Sequence, residues 1–136
     1  MSHLPILLVD DNEALLSELT EVLREEGYLA QPATSGDIAL VLLQQGIPFR
    51  LLVTDVVLPG VLDGFTLARR ARLFSPNIPI IYATGHPDVA HVRARGAPFG
   101  EILSKPYRIE AMLRAISAAL RISLPQTERK RSPAPV

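Results

Sequence analysis

Four short runs of unbroken apolar residues, Ile6–Val9, Leu51–Val53, Ile80–Ala83 and Ile102–Leu103, constrain this chain more than any other feature. A strand with one wet face alternates apolar and polar residues. A run without alternation must be covered on both faces, as in a parallel sheet held between layers of helices. A fifth stretch, Tyr28–Ala33, is more polar and contains Pro32. Proline has no N–H to give to a ladder, so this strand belongs at the rim of the sheet.

Helical patterns fill the gaps. Leu15, Leu16, Leu19, Val22 and Leu23 make one apolar stripe, opposite Glu18, Glu21, Arg24 and Glu25, with Asn12 as its N-cap and Gly27 as its stop. Ile38 to Leu43 is a second helix, started by Ser35 and ended by Gly46. The third follows Asp63, turns Phe65, Ala68, Ala71 and Phe74 inward and ends at Pro76; Phe49, Phe65 and Phe74 are read as core. The last carries Ile109, Met112, Leu113, Ile116 and Leu120 at intervals of three and four. Asp88–Arg95 is the weakest segment, short and hemmed by Pro87, Gly96, Pro98 and Gly100. Strand and helix thus alternate five times, which implies right-handed crossovers and a doubly wound α/β fold.

At 136 residues the chain suits one domain, read as 1–124, able to bury about two-thirds of the surface it exposes when unfolded. No apolar run approaches the ~18 residues of a membrane span, and no signal-peptide pattern opens the chain. The absence of cysteine excludes disulfides and thiolate metal sites. Cytoplasmic residence is the default expectation. The net charge of zero argues against a broad nucleic-acid-binding face. Residues 125–136, rich in proline and carrying Arg129, Lys130 and Arg131, read as a flexible, basic tail.

In an open α/β sheet, ligands bind at the carboxyl ends of the strands. There the chain places Asp10 and Asp11 after the first run, Asp55 after the third, Thr84 after the fourth and Lys105 after the fifth. Three carboxylates repel one another unless a cation neutralises them, and an all-oxygen donor set favours a hard ion such as Mg2+. A carboxylate beside such an ion can act as a nucleophile toward phosphorus. Lys105 would then neutralise charge on the transferring oxygens, and Thr84 would hydrogen-bond the acquired group.

The segments ILLVDDNE, LLVTDVVLPG with a following DG, IIYATG and LSKPY, in this order and spacing, resemble the response-regulator receiver family of two-component signalling across roughly residues 4–122. DVVLPG is also similar to receivers attached to hybrid sensor kinases. The resemblance implies a flavodoxin-like three-layer sandwich, a five-stranded parallel sheet in the order 2-1-3-4-5 with five helices. It implies phosphoryl acceptance at Asp55 from a histidine kinase or histidine phosphotransfer protein. Mg2+ would be held by Asp11 and Asp55, by Asp10 through water and by the Val57 carbonyl, while Thr84 serves as the switch hydroxyl. Lys105 would precede a cis Pro106. Such a protein catalyses only its own phosphorylation and dephosphorylation. With no output domain after residue 124, it is expected to signal by protein–protein contact, or to dimerise, through its fourth helix, fifth strand and last helix.

The chain departs from the family pattern in three places. The loop PGVLDG is one residue longer than the common form. Ile102 stands where an aromatic is frequent, with Tyr82 and Phe99 as nearby aromatics that could take its part. Val57 and His86 occupy the two positions that in this family tune hydrolysis of the acyl phosphate.

Three other readings compete. A phosphatase with an aspartyl nucleophile needs a second acid where Asn12 stands. A nucleotide-binding fold lacks its glycine-rich loop after the first strand. A degenerate receiver, acting as a phosphorylation-independent binding module, keeps the fold without the switch. The runs of arginine at 68–72 and at Arg93 and Arg95 read as solvated helix faces, and His86 as an exposed loop residue.

Overall fold

The computed structural model of the protein describes residues 4–94 and 96–122. Its elements run β1 (Ile6–Val9), α1 (Glu13–Glu25), β2 (Ala30–Ala33), α2 (Gly36–Gln44), β3 (Leu51–Asp55), α3 (Gly64–Phe74), β4 (Ile80–Thr84), α4 (Pro87–Arg93), β5 (Gly100–Ser104) and α5 (Ile109–Ile122). All strand pairs are parallel and the order is β2-β1-β3-β4-β5. This is the doubly wound fold that the alternation of runs implied, in the flavodoxin-like order that the family resemblance implied. The expected tail, the domain limit at 124 and Arg95 lie outside the described residues.

Continuous apolarity translates into burial on both faces: every residue of β1, β3 and β4 is buried. On one face Leu7, Val9, Leu52, Ile80 and Tyr82 pack with Leu43, Phe65 and Leu67 from α2 and α3. On the other, Ile6, Leu8, Leu51, Val53 and Ile81 pack with Leu16, Leu19 and Leu23 of α1 and Met112 and Ile116 of α5. Each buried aliphatic side chain contributes roughly 1.5–3 kcal/mol by leaving water, so the three inner strands, β1, β3 and β4, anchor both layers.

The helix ends follow their sequence signals. Asn12, Ser35 and Asp63 accept the N–H of Leu15, Ile38 and Thr66 with their side chains. Gly27 and Gly46 follow α1 and α2 with φ of 93° and 84°, a region that favours glycine. The weak segment is helical over Pro87–Arg93, with Pro87 in its first turn and no side-chain cap from His86.

Three expectations need correction. Tyr28 and Leu29 precede β2, because the Tyr28 N–H is spent on the Leu23 carbonyl in closing α1. Phe74 is exposed. Each step of three residues falls roughly 60° short of a full turn, so three steps from Phe65 carry position 74 about half a turn off the core face. Leu67 takes the inward place instead. The arginines after Ala68 are more than a solvated face, since Arg69 donates to the Gly96 carbonyl at 3.3 Å and Arg72 to that of Ile78 at 2.7 Å.

Candidate functional site

Parallel register sets the site. Val9 pairs with Thr54, Asp55 with Ala83 and Thr84 with Ser104, so β1, β3, β4 and β5 end at nearly one level. The residues at or just past those ends are the acids, the hydroxyl and the lysine picked out by the sequence. Asp10 and Asp55 are buried, Asp11 is exposed, and Lys105 lies between those extremes. Oxygens of Asp10, Asp11 and Asp55 all come within 4.8 Å of one another. Lys105 Nζ bridges two of the acids, donating to Asp10 Oδ2 and Asp55 Oδ2 at 3.1 Å each. The other Asp10 oxygen accepts the Asn12 N–H at 2.8 Å, which fixes that carboxylate at the start of α1. The Lys105–Pro106 bond is cis, as the family resemblance implied.

Electrostatics separates the partners. Burial first, and then the Asp10 charge, push Asp55 up to about 7, against the opposing pull of Lys105. Burial works against the charge of Lys105, but its hydrogen bonds and attraction to Asp55 and Asp10 outweigh that and hold its pKa above the ordinary value. A buried acid raised to neutrality beside a second acid is a site short of positive charge. The donor set fits a hard divalent cation, being all carboxylate oxygen with one member open to solvent.

Thr84 is buried at the end of β4, where its Oγ1 accepts the His86 N–H at 3.1 Å and so is engaged with its own loop. The Val57 side chain is exposed. Together with Val56, Thr84, His86, Val89, Ala90 and Arg93 it lines an open cavity of about 300 Å3 next to the acids. The larger groove, about 610 Å3, runs between α1 and β2 and contains none of the three clustered aspartates.

Two contributors escaped the sequence reading. Gly64 opens α3 so close to β3 that a Cβ on it would lie 2.0 Å from the Asp55 carbonyl oxygen. A glycine at the first helical position, where propensity disfavours it, was the available signal. Tyr107 lines a small cavity with Asp10 and Asp55. Burial, and then the charges of Asp10, Asp55 and Glu18, hold its phenol protonated. Its place in LSKPY was visible, but its proximity to acids so distant in sequence was not.

The family model for the response regulator receiver domain matches residues 6–117. The chain belongs to the response regulator receiver family. Among relatives, it is 35% identical over 116 residues to the response regulator receiver protein CpdR of Brucella abortus, a match covering 85% of this chain and 95% of CpdR. It is 32% identical over 118 residues to the sensor kinase CckA of the same organism, covering 85% of this chain but 12% of CckA. Among solved structures, a response regulator receiver protein from Sinorhizobium medicae superposes with a TM-score of 0.82 at 33% identity, covering 90% of this chain and 98% of that one. Receivers are signalling modules of two-component systems, so the acidic cluster at the strand ends sits in a family whose work is to carry a signal. No helix among the described residues is long and apolar enough to cross a membrane.

Proposed function

We propose that this receiver accepts a phosphoryl group on Asp55 from the phosphohistidine of a sensor kinase or phosphotransfer protein, with Mg2+ required. The observation that carries this reading is Lys105 Nζ held 3.1 Å from both Asp10 and Asp55 inside a three-carboxylate cluster. Asp11, Asp55 and the Val57 carbonyl would hold the cation, with Asp10 acting mainly through water. When bound, the cation supplies the positive charge that keeps Asp55 ionised and offsets charge on the transferring oxygens.

The chain's own groups supply the rest. An Asp55 carboxylate oxygen forms the new O–P bond as the donor's P–N bond breaks, and the electron pair leaves on the imidazole nitrogen. Lys105 shifts its contact from Asp55 toward the developing phosphoryl oxygens, an electrostatic role. Thr84 gives up the His86 N–H and turns its hydroxyl to the acquired group. The resulting bias on α4, β5 and α5 is read by a protein partner, in the cytoplasm.

A second reading, a binding module indifferent to phosphorylation, draws on one observation: Ile102 stands where an aromatic often completes the family's switch. Intact mass after incubation with Mg2+ and acetyl phosphate separates the two. One added phosphoryl group, absent with a chelator and absent in Asp55→Asn, is the expected result. No gain in the unaltered protein under any condition would leave the binding module standing.

A further inference from the structure

Tyr82 heads the fully buried side chains by volume, at 1% exposure. A phenol sealed from water must give its proton to an acceptor inside the protein. Tyr82 gives it to the Pro98 carbonyl at 2.7 Å, in the connection between α4 and β5. Burial pushes the phenol up to about 12, so it remains a donor throughout the neutral range.

Besides that bond, Tyr82 has a ring contact, a strand partner and a place in the core cluster. Its ring lies 4.9 Å from that of Phe65 on α3, tilted by 58°. Tyr82 is the direct cross-strand partner of Ile102 on β5. Ala90 of α4, with Ala94 and Ala97 beyond it, packs into the same cluster. Strand alternation puts Thr84, two residues further on, on the same face of β4 as Tyr82. One aromatic on β4 therefore joins the strand that ends in the switch hydroxyl to the loop that leads into β5.

Among its described residues that loop makes few other hydrogen bonds to the body. Arg69 holds the Gly96 carbonyl at 3.3 Å from an exposed position, and the Ala97 N–H bonds only to Ala94 in the turn closing α4. Phe99, next to Pro98, is 92% exposed. Ile102 has neither a hydroxyl nor a ring with which to make a second link.

We propose that Tyr82 is a positioning residue, a fixed strut that transmits a change at the Thr84 end of β4 to the loop around Pro98 and Phe99. The proposal rests on Asp55 being the phosphoryl acceptor. A swinging side chain transmits by changing place. A strut transmits by keeping its bond while its strand shifts, so removing the bond should uncouple the loop and leave phosphorylation intact.

The test is amide hydrogen exchange by mass spectrometry on the full chain and on Tyr82→Phe, which keeps the ring and loses only the hydroxyl. Each is examined alone and after Mg2+ with acetyl phosphate, with intact mass recorded in the same samples. Without phosphorylation, residues 96–99 should exchange about five- to tenfold faster in Tyr82→Phe, the effect of one lost buried hydrogen bond. Both proteins should gain one phosphoryl group. The phosphorylation-dependent change in exchange at 96–99 should fall by at least half in the variant, while that at 85–90 persists. Equal exchange at 96–99 in the two unphosphorylated proteins, or an equal response to phosphorylation, overturns the strut. Failure of the unaltered protein to gain mass instead sinks the phosphoacceptor reading, and the unphosphorylated comparison then judges the Tyr82 bond by itself.

Discussion

The two sides of the sheet around Asp55 are built differently. On one side, α1 runs from Glu13 to Glu25, begins at a side-chain cap from Asn12 and buries Leu16, Leu19 and Leu23 against strands with no exposed residue. On the other, α4 spans Pro87–Arg93 without a side-chain cap, and no residue of β5 is fully buried. The first side holds Asp10 and Asp55 in fixed geometry, which a group transfer needs. On the second, β5 is paired with β4 along its whole length. However, α4 and the described residues of the loop after it meet the body through Ala90, the Tyr82 hydroxyl, and the contacts of Arg69 with Gly96 and of Arg93 with Asp63. Thin anchoring of that kind lets a local chemical event move a surface. On the function proposed above, reaction and response would be divided between a stiff half and a soft half that share β3 and β4.

The largest expected effect is on chemistry and belongs to the stiff half. Asp55→Asn should abolish phosphoryl uptake, as read by intact mass. Lys105→Met should slow it by about 10- to 100-fold while leaving some uptake, because it removes an electrostatic partner and not the nucleophile. A Lys105→Met variant as fast as the parent would break the assignment of that role.

Stability sharpens the contrast next. Gly64→Ala forces a methyl onto the Asp55 backbone and Leu67→Ala empties a fully buried site, so each should cost about 3 kcal/mol in urea unfolding. Val89→Ala on α4 and Gly85→Ala, which meets nothing within 4 Å, should stay within about 0.5 kcal/mol. Gly100 is the exception on the soft side. A Cβ there would lie 2.2 Å from the Ile80 carbonyl oxygen, so the entry to β5 is as tightly packed as anything in the stiff half.

A pH effect of intermediate size follows from Asp55. Unfolded, it titrates near 3.8, and in the folded, metal-free protein near 7. Between those values the folded chain keeps a proton that the unfolded chain has released, so this group lowers stability as pH rises through that window. Asp55→Asn removes the burden. In chelator at pH 8 it should melt higher by roughly 5 °C, and below pH 4 the difference should vanish. An equal Tm at both pH values would mean that Lys105 already neutralises the acid. By the same protonation, phosphoryl uptake at low Mg2+ should fall as pH drops below about 7, with saturating Mg2+ moving the fall to lower pH.

Much of this division was legible in the sequence, for physical reasons. Unbroken runs such as Leu51–Val53 admit few structures, and Pro32 can sit only where no N–H is required, so sheet type and edge followed directly. Asp10, Asp11, Asp55 and Lys105 were legible because parallel strands of similar length must end together. What stayed hidden depends on contacts across the fold. Phe74 looked inward on spacing alone, yet helical phase drift turned it out. Tyr82 was legible as an aromatic that could take the part missing at Ile102, but its bond to Pro98, sixteen residues away, was not. Gly64 and Tyr107 owe their places near Asp55 to packing that local patterns do not encode.

The most direct test of the stiff and soft halves is a backbone amide NMR series on the full chain: alone, with Mg2+, and with Mg2+ plus acetyl phosphate. Mg2+ alone should shift residues near 10–12 and 55–57. The phosphodonor should extend the shifts through 84–104 and leave the buried parts of β1 and α1 near their starting positions. Shifts confined to the acidic cluster, or spread equally into α1 and α2, would contradict the account.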